Sequence, residues 1–331
     1  MTYYRPLVRH GEARPEGAVP LAGSALWFTE VEILSREAPP RIAPAGLVPE
    51  KERRRLSARR ASIAGLDMTQ PQIMGILNVT PDSFSDGGKH AGVEAAKAAA
   101  LQMVADGATI IDVGGESTRP GAADVAEADE IARTAPVIAA IRAESQVPVS
   151  IDTRKATVGL EALEAGADLL NDVSGFTFDP ALAPLAAQAS VPVCIMHAQG
   201  DPATMQQDPQ YANVLLDVYD FLEQQIDRLE AIGVIREQIV IDPGIGFGKT
   251  QEHNLTLLRN LSLFHGLGCP ILLGVSRKGF IGRIGEEPRA EARAPGSIAA
   301  GLAALAQGVQ FLRVHDVAET VQALRLWQAV R

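Results

Sequence analysis

The feature that most limits how this chain can fold is an alternation repeated eight times. From Ile73 onward, short apolar runs are followed by longer, alanine-rich amphipathic stretches. The runs are Ile73–Leu77, Ile110–Val113, Val149–Ile151, Leu169–Leu170, Val193–Met196, Ile239–Ile241, Ile271–Val275 and Phe311–Val314. Helical segments follow near 93–106, 127–143, 156–165, 181–189, 211–232, 251–261, 297–307 and 317–329. Eight βα units in roughly 260 residues predict an α/β fold, a single (β/α)8 TIM barrel. A doubly wound open sheet is the competing arrangement, because periodicity does not show closure.

Residues 1–68 read differently, with prolines at 6, 15, 20, 39, 40, 44 and 49 and a basic run from Lys51 to Arg60. They are expected to form an N-terminal extension packing on a barrel that occupies 69–331. Leu26–Leu34 is expected to pack as a strand or short helix, and the basic run reads as a solvated helix face. Of the 30 Lys/Arg and 40 Asp/Glu, residues 1–70 hold 11 and 8, so the remainder holds 19 and 32, a net charge of −13. A body that acidic lacks the sustained basic face that a nucleic-acid partner requires. The two cysteines, Cys194 and Cys269, sit beside or inside apolar runs and read as buried free thiols in a reducing compartment. No stretch of 18 uninterrupted apolar residues occurs, so a soluble cytoplasmic protein with no membrane partner is expected.

In a barrel, side chains at the carboxyl ends of the strands converge on one mouth, where chemistry is done. The residues found there are Asn78, Gly-Gly-Glu-Ser-Thr-Arg (114–119), Asp152, Asn171 with Asp172, His197, Asp242, Ser-Arg-Lys (276–278), and Arg313 with His315. Any one of them could cap the following helix. A set of eight points to a charged binding site. Asp152, Asn171 and Asp242 offer groups able to pair with the amino and ring N–H donors of a flat heterocycle such as a pterin or purine. Arg119, Lys249, Arg277, Lys278, Arg313 and His315 set cations against the global charge, which suggests an anionic substrate such as a phosphate ester.

Two loops and one absence complete the reading. Asp-Pro-Gly-Ile-Gly-Phe-Gly-Lys (242–249) lacks the spacing of a Walker loop or dinucleotide fingerprint. Asn-Val-Thr-Pro-Asp-Ser-Phe-Ser-Asp-Gly-Gly (78–88) is a long turn-rich βα loop of the sort that can close over a ligand. There is no GxSxG, no Cys–His pair and no HExxH. Asn78, and less so Asp86 and Glu116, could serve a hard cation such as Mg2+, which takes few protein ligands and shares phosphate oxygens.

These motifs resemble dihydropteroate synthase. Met-Gly-Ile-Leu-Asn-Val-Thr-Pro-Asp-Ser-Phe-Ser-Asp-Gly-Gly (74–88) and Asp-Val-Gly-Gly-Glu-Ser-Thr-Arg-Pro-Gly (112–121) look like its two signature segments. The likeness continues through Ile-Asp-Thr-Arg-Lys (151–155), Asn-Asp-Val-Ser-Gly (171–175), Met-His-Ala-Gln-Gly (196–200), residues 242–249, Ser-Arg-Lys (276–278) and Arg-Val-His-Asp (313–316). The resemblance implies a homodimeric pterin-binding barrel with small-molecule substrates. It would join 6-hydroxymethyl-7,8-dihydropterin diphosphate to 4-aminobenzoate, with Mg2+ and an SN1-like path. It also implies that Asp152, Asn171, Asp242 and Lys278 hold the pterin. Asn78, Thr118, Arg119, Arg313 and His315 would hold the diphosphate, with Asn78 on the metal, and Ser276 and Lys278 would receive the aminobenzoate. Arg119, Lys278, Arg313 and His315 are the implied catalytic residues. Gly279 and Ile245 depart from residues common in the family. A pterin-dependent methyltransferase would not need the phosphate-handling motifs together, and a non-catalytic pterin-binding paralogue should have lost Asp86, Thr118 or Arg119, all of which are present.

Overall fold

The computed structural model describes residues 1–80, 88–117, 124–200 and 205–330, so Asp86, Thr118 and Arg119 lie outside the described residues. Eight parallel strands form one sheet: β1 (Gln72–Asn78), β2 (Ile110–Gly114), β3 (Val149–Asp152), β4 (Leu169–Asp172), β5 (Val193–Met196), β6 (Ile239–Asp242), β7 (Leu272–Gly274) and β8 (Phe311–Val314). Neighbours pair in sequence order from β1 to β6, and β8 lies between β1 and β7. A parallel bridge between Ile241 and Ile271 joins the two edges, and the Ile241 N–H donates to the Pro270 carbonyl at 2.9 Å. The sheet is therefore a closed barrel rather than an open doubly wound sheet.

The strands extend past the apolar runs onto the polar residues that follow them. Asp152 pairs in register with Asn171, and Met196 with Asp242, so the ladder carries these side chains instead of releasing them into loops. Helices α1 (Gly88–Asp106), α2 (Glu127–Glu144), α3 (Ala156–Glu164), α4 (Leu182–Ala189), α5 (Val214–Ala231), α6 (Gln251–Arg259), α7 (Ala294–Leu305) and α8 (Val317–Val330) surround the sheet. Helix α5 starts later than its periodicity suggests because the Asn213 side chain accepts the Leu216 N–H at 3.2 Å.

Side chains alternate between the two faces of a strand, so the barrel interior is built in layers. The lower layer is apolar and sealed: Met74, Ile110, Leu169, Cys194, Val240, Leu272 and Phe311 form one buried cluster. Two residues further along those strands, on the same face, stand Ile76, Asp112, Asn171, Met196, Asp242, Gly274 and Arg313. The polar mouth is thus the next interior layer, resting on a hydrophobic floor.

Residues 1–68 form a three-stranded antiparallel sheet (Thr2–Pro6, Glu30–Ser35, Arg41–Pro44), a two-stranded pair (Val19–Pro20 with Trp27–Phe28) and the helix Glu50–Ser57. Leu21, Phe28, Val31 and Leu56 give this part its own buried cluster. Tyr3 donates to Asp220 at 2.8 Å, Arg36 to Asp217 at 2.7 Å, and Arg55 to Glu223 at 3.1 Å, fixing it to α5. The basic run is not wholly a solvated face. Arg60 is buried and donates to the carbonyls of Ala58 and His265, both at 3.0 Å. Burial pushes its guanidinium down to about 10.

Ile63 and Met68 join the lower interior layer and plug the end of the barrel opposite the mouth. Ile63→Ala is expected to cost about 2–4 kcal/mol in urea denaturation, with a single transition if the plug unfolds with the barrel. A change below roughly 1 kcal/mol would show that the floor does not depend on this segment.

Candidate active site

The upper interior layer lines a cavity of about 730 Å3. Asn78, Asp152, Asn171, Asp242, Ser276, Lys278, Arg313 and His315 all border it, so eight of the ten residues expected to form the site converge. The other two, Thr118 and Arg119, lie outside the described residues.

Arg313 organises one side. Its Nε donates to Asp112 Oδ2 at 2.6 Å and its Nη2 to Asp152 Oδ2 at 2.7 Å. Asn171 Nδ2 lies 3.3 Å from each Asp112 oxygen and donates to that carboxylate. Burial raises the Asp152 carboxyl above its usual range, opposed by Arg313 and reinforced by Asp112. Among the described residues, the buried Asp152 Oδ1 has no hydrogen-bond partner. A buried acceptor in that state is one that a ligand donor can satisfy.

On the other side, Asp242 Oδ1 accepts the Gly244 N–H at 2.7 Å. Burial raises its carboxyl while Lys278 opposes the rise. Lys278 donates to the Ile245 carbonyl and stands 4.6 Å above the centre of the Phe247 ring. Burial pushes its ammonium down to about 8, with Asp242 pulling the other way. Ser276 Oγ accepts the His315 N–H at 3.1 Å and lies 3.0 Å from His315 Nδ1. A Cβ at Gly114 would stand 3.7 Å from Asn78 Oδ1 and 3.8 Å from Asp152 Oδ2, which places the Asn78 oxygen at the polar mouth.

Some sequence-identified groups do other work. Lys249 is buried, and its ammonium is taken by His197 Nδ1 at 2.8 Å and by the carbonyls of His197, Gly244 and Phe247. Burial holds it well below the usual lysine range. It therefore ties the β6–α6 loop to the end of β5 and does not present a free cation. The glycines of that loop serve the same packing. Gly244 has φ +69°, and a Cβ there would lie 1.8 Å from the His197 carbonyl oxygen, a clash that excludes any side chain. Arg277 pairs with Asp316, its Nε donating at 3.1 Å. Asp172 caps its own turn by accepting from Ser174 and Phe176.

Sequence reasoning missed Asp112. The signal was a lone acid in the run Ile-Ile-Asp-Val, in phase with Ile110 below it. Among the described residues no cluster of three His, Cys, Asp or Glu fits a metal. Mg2+ asks for less, since it keeps several waters and binds through one or two protein oxygens, and the Asn78 carboxamide suits it. Glu116 does not, because both its oxygens are engaged by Val125, Arg154 and Lys155.

A closed barrel whose mouth carries this set defines a pterin-binding enzyme. The family described as "Pterin binding enzyme" matches residues 74–315. Dihydropteroate synthase of Synechocystis is 47% identical over 258 residues, covering 78% of this chain and 89% of the relative. That of Escherichia coli K12 is 47% identical over 265 residues, covering 80% and 93%. The Yersinia pestis dihydropteroate synthase in a sulfonamide drug complex superposes with a TM-score of 0.77 at 44% identity, covering 82% of this chain and 99% of that one. The Xanthomonas albilineans enzyme with 4-aminobenzoic acid does so with the same score and identity, covering 82% and 97%. The chain belongs to the dihydropteroate synthase family, transferases that make dihydropteroate.

Removing Arg313 leaves two carboxylates facing each other in a buried layer. Arg313→Gln is expected to lower unfolding free energy by about 3–5 kcal/mol. Asp112→Asn in the same chain should recover part of that loss, because the two sites share one interaction. Strictly additive losses in urea denaturation would show that the bridge does not couple them.

Proposed function

We propose that this chain joins 6-hydroxymethyl-7,8-dihydropterin diphosphate to 4-aminobenzoate, releasing diphosphate and 7,8-dihydropteroate. The observation that carries the reading is the unpartnered Asp152 Oδ1, set beside Asn171 and across from Asp242 over a hydrophobic floor. These acceptors match the N–H donors on the amino-pyrimidine edge of a pterin. In our reading Asp242 and Lys278 grip that edge, and Asp152 and Asn171 take the remaining ring donors. His315 and Arg313 face the diphosphate, the family resemblance adds Thr118 and Arg119 to that role, and Ser276 with Lys278 receives the aminobenzoate carboxylate.

The chemistry agrees with the absence of a protein nucleophile. An aryl amine is neutral at pH 7, so no strong base is required. The C–O bond between the pterin methylene and the diphosphate breaks, its electron pair leaves with the diphosphate, and the amine nitrogen supplies the pair for the new C–N bond. The nitrogen then loses a proton. The electron-rich dihydropterin can delocalise positive charge at the methylene, which supports an SN1-like path. Asn78 would hold Mg2+, which when bound supplies charge neutralisation at the diphosphate oxygens. Arg313 and His315 stabilise the developing negative charge of the leaving group.

The test is Mg2+-dependent diphosphate release with and without 4-aminobenzoate. Release by the wild type is expected to depend on the amine, and Asp242→Ala should lower kcat/KM for the pterin diphosphate on the order of 10²-fold. Binding of the pterin diphosphate without amine-dependent release would identify a non-catalytic pterin-binding protein instead.

Lys278 adds a pH signature. Its folded value of about 8 lies below the ordinary 10.5, so between those values the unfolded chain binds more protons than the folded one. This group's contribution to stability therefore rises with pH across that window. Acceptor binding runs the other way, because the ammonium is lost as pH passes about 8. The kcat/KM for 4-aminobenzoate is expected to fall above that pH in the wild type, and the fall attributable to this group should vanish in Lys278→Met. A profile unchanged by the substitution would remove Lys278 from acceptor recognition.

A further inference from the structure

Beside the cavity lies a buried charge network that the mechanism above does not use. Glu116 follows β2 directly, and Asp124 and Val125 precede α2. All three are gripped by the two residues that follow Asp152 and Thr153. Arg154 Nη2 donates to Glu116 Oε2 at 3.0 Å and to Asp124 Oδ1 at 3.2 Å. Lys155 Nζ donates to Glu116 Oε1 at 3.1 Å, the Val125 carbonyl at 2.7 Å and Glu130 Oε2 at 2.7 Å. Glu116 Oε1 also accepts the Val125 N–H at 2.8 Å, so one carboxylate links the two ends of the β2–α2 connection. Arg154 is braced from outside by the Phe178 ring, 4.2 Å from its guanidinium carbon.

Two features argue that this network serves the site more than the fold. Burying Glu116, Glu130, Arg154 and Lys155 together is costly, and apolar residues of similar size commonly serve stability as well or better. The network also sits where the connection bearing Glu116 and Ser117, both at the cavity edge, leaves the barrel. The pterin cradle is held by different bonds: Arg313 to Asp152, and Gly244 to Asp242. Among the described residues the two sets share no hydrogen bond.

We infer that Arg154 and Lys155 are positioning residues for the transfer step: acting through Glu116, they fix both ends of the β2–α2 connection and set Ser117 at the cavity rim, independently of the pterin cradle. This rests on the transferase reading above. If it holds, loosening the network slows transfer while leaving pterin affinity unchanged, since small displacements of positioned groups reduce rate steeply.

The experiment compares wild type, Lys155→Met, Arg154→Lys and Phe178→Ala. Affinity for 6-hydroxymethylpterin, which has no leaving group, is measured by calorimetry, and kcat with saturating pterin diphosphate, Mg2+ and 4-aminobenzoate by diphosphate release. Lys155→Met is expected to lower kcat about tenfold or more with the pterin Kd within about twofold, and Arg154→Lys, which keeps the charge, to retain more rate. Combining Lys155→Met with Glu116→Gln should cost less than the two separate effects together, because both break one link. Phe178 is 48% exposed, so Phe178→Ala keeps the fold even if Lys155→Met does not, and it should lower kcat about threefold at unchanged pterin Kd. Unchanged kcat in Phe178→Ala, or a pterin Kd that weakens in step with kcat, overturns the inference. Absence of amine-dependent release in the wild type overturns the transferase reading instead, before any variant is compared.

Discussion

The contact on which the site depends is the bridge from Arg313 to Asp112 and Asp152. It spans the interior of the barrel, from β8 to β2 and β3, and gives two buried carboxylates one shared cation. A buried cation between acids is a poor source of stability compared with apolar packing. Among the described residues it leaves Asp152 Oδ1 unpartnered, however, and so converts a structural cost into a fixed acceptor. Asp112 alone cannot do this, because its oxygens already answer to Arg313 and Asn171.

The bridge is possible because of what lies beneath it. Met74, Ile110, Leu169, Cys194, Val240, Leu272 and Phe311 fill the lower layer, and Ile63 and Met68 seal it from below. Side-chain alternation then dictates that the next inward positions on the same strands face the mouth. A floor of this kind excludes water from one side of every polar group above it, which strengthens their interactions and shifts Asp152, Asp242 and Lys278 together. Asp152, Asn171, Asp242 and Arg313 are carried by strands and inherit their rigidity, whereas Ser276, Lys278 and His315 stand on the connections that follow β7 and β8.

Much of this was legible in the chain. The eight apolar runs marked the strands to within a residue or two, and the polar residues after seven of them marked the mouth, His197 after β5 being taken by Lys249 instead. What escaped was whatever depended on phase within a strand or on contact across the fold. Asp112 lies inside an apolar run, and only its two-residue phase with Ile110 reveals that it points inward. Arg60 belongs to a basic run that reads as solvated, yet the chain folds back and buries it against the His265 carbonyl. Lys249 looked like a substrate cation, but the glycines around it let the β6–α6 loop press against the end of β5, and the lysine locks the two together. Ile63 and Met68 follow a proline-rich stretch unlike the barrel, so nothing local marks them as its plug.

The reassignment of Lys249 and Arg277 alters the electrostatic argument. With Lys249 engaged by carbonyls and Arg277 by Asp316, the other described cations bordering the cavity are Lys278, Arg283, Arg293 and Arg313, with His315 beside them. Against them stand Asp112, Asp152 and Asp242. The mouth is therefore not a simple anion trap, and its two sides ask for different things. The carboxylates suit a ring edge rich in N–H donors, while Lys278, Arg283 and Arg313 suit an anionic group. The network that fixes the ends of the β2–α2 connection bears on a different part of this mouth, the edge where Glu116 and Ser117 stand.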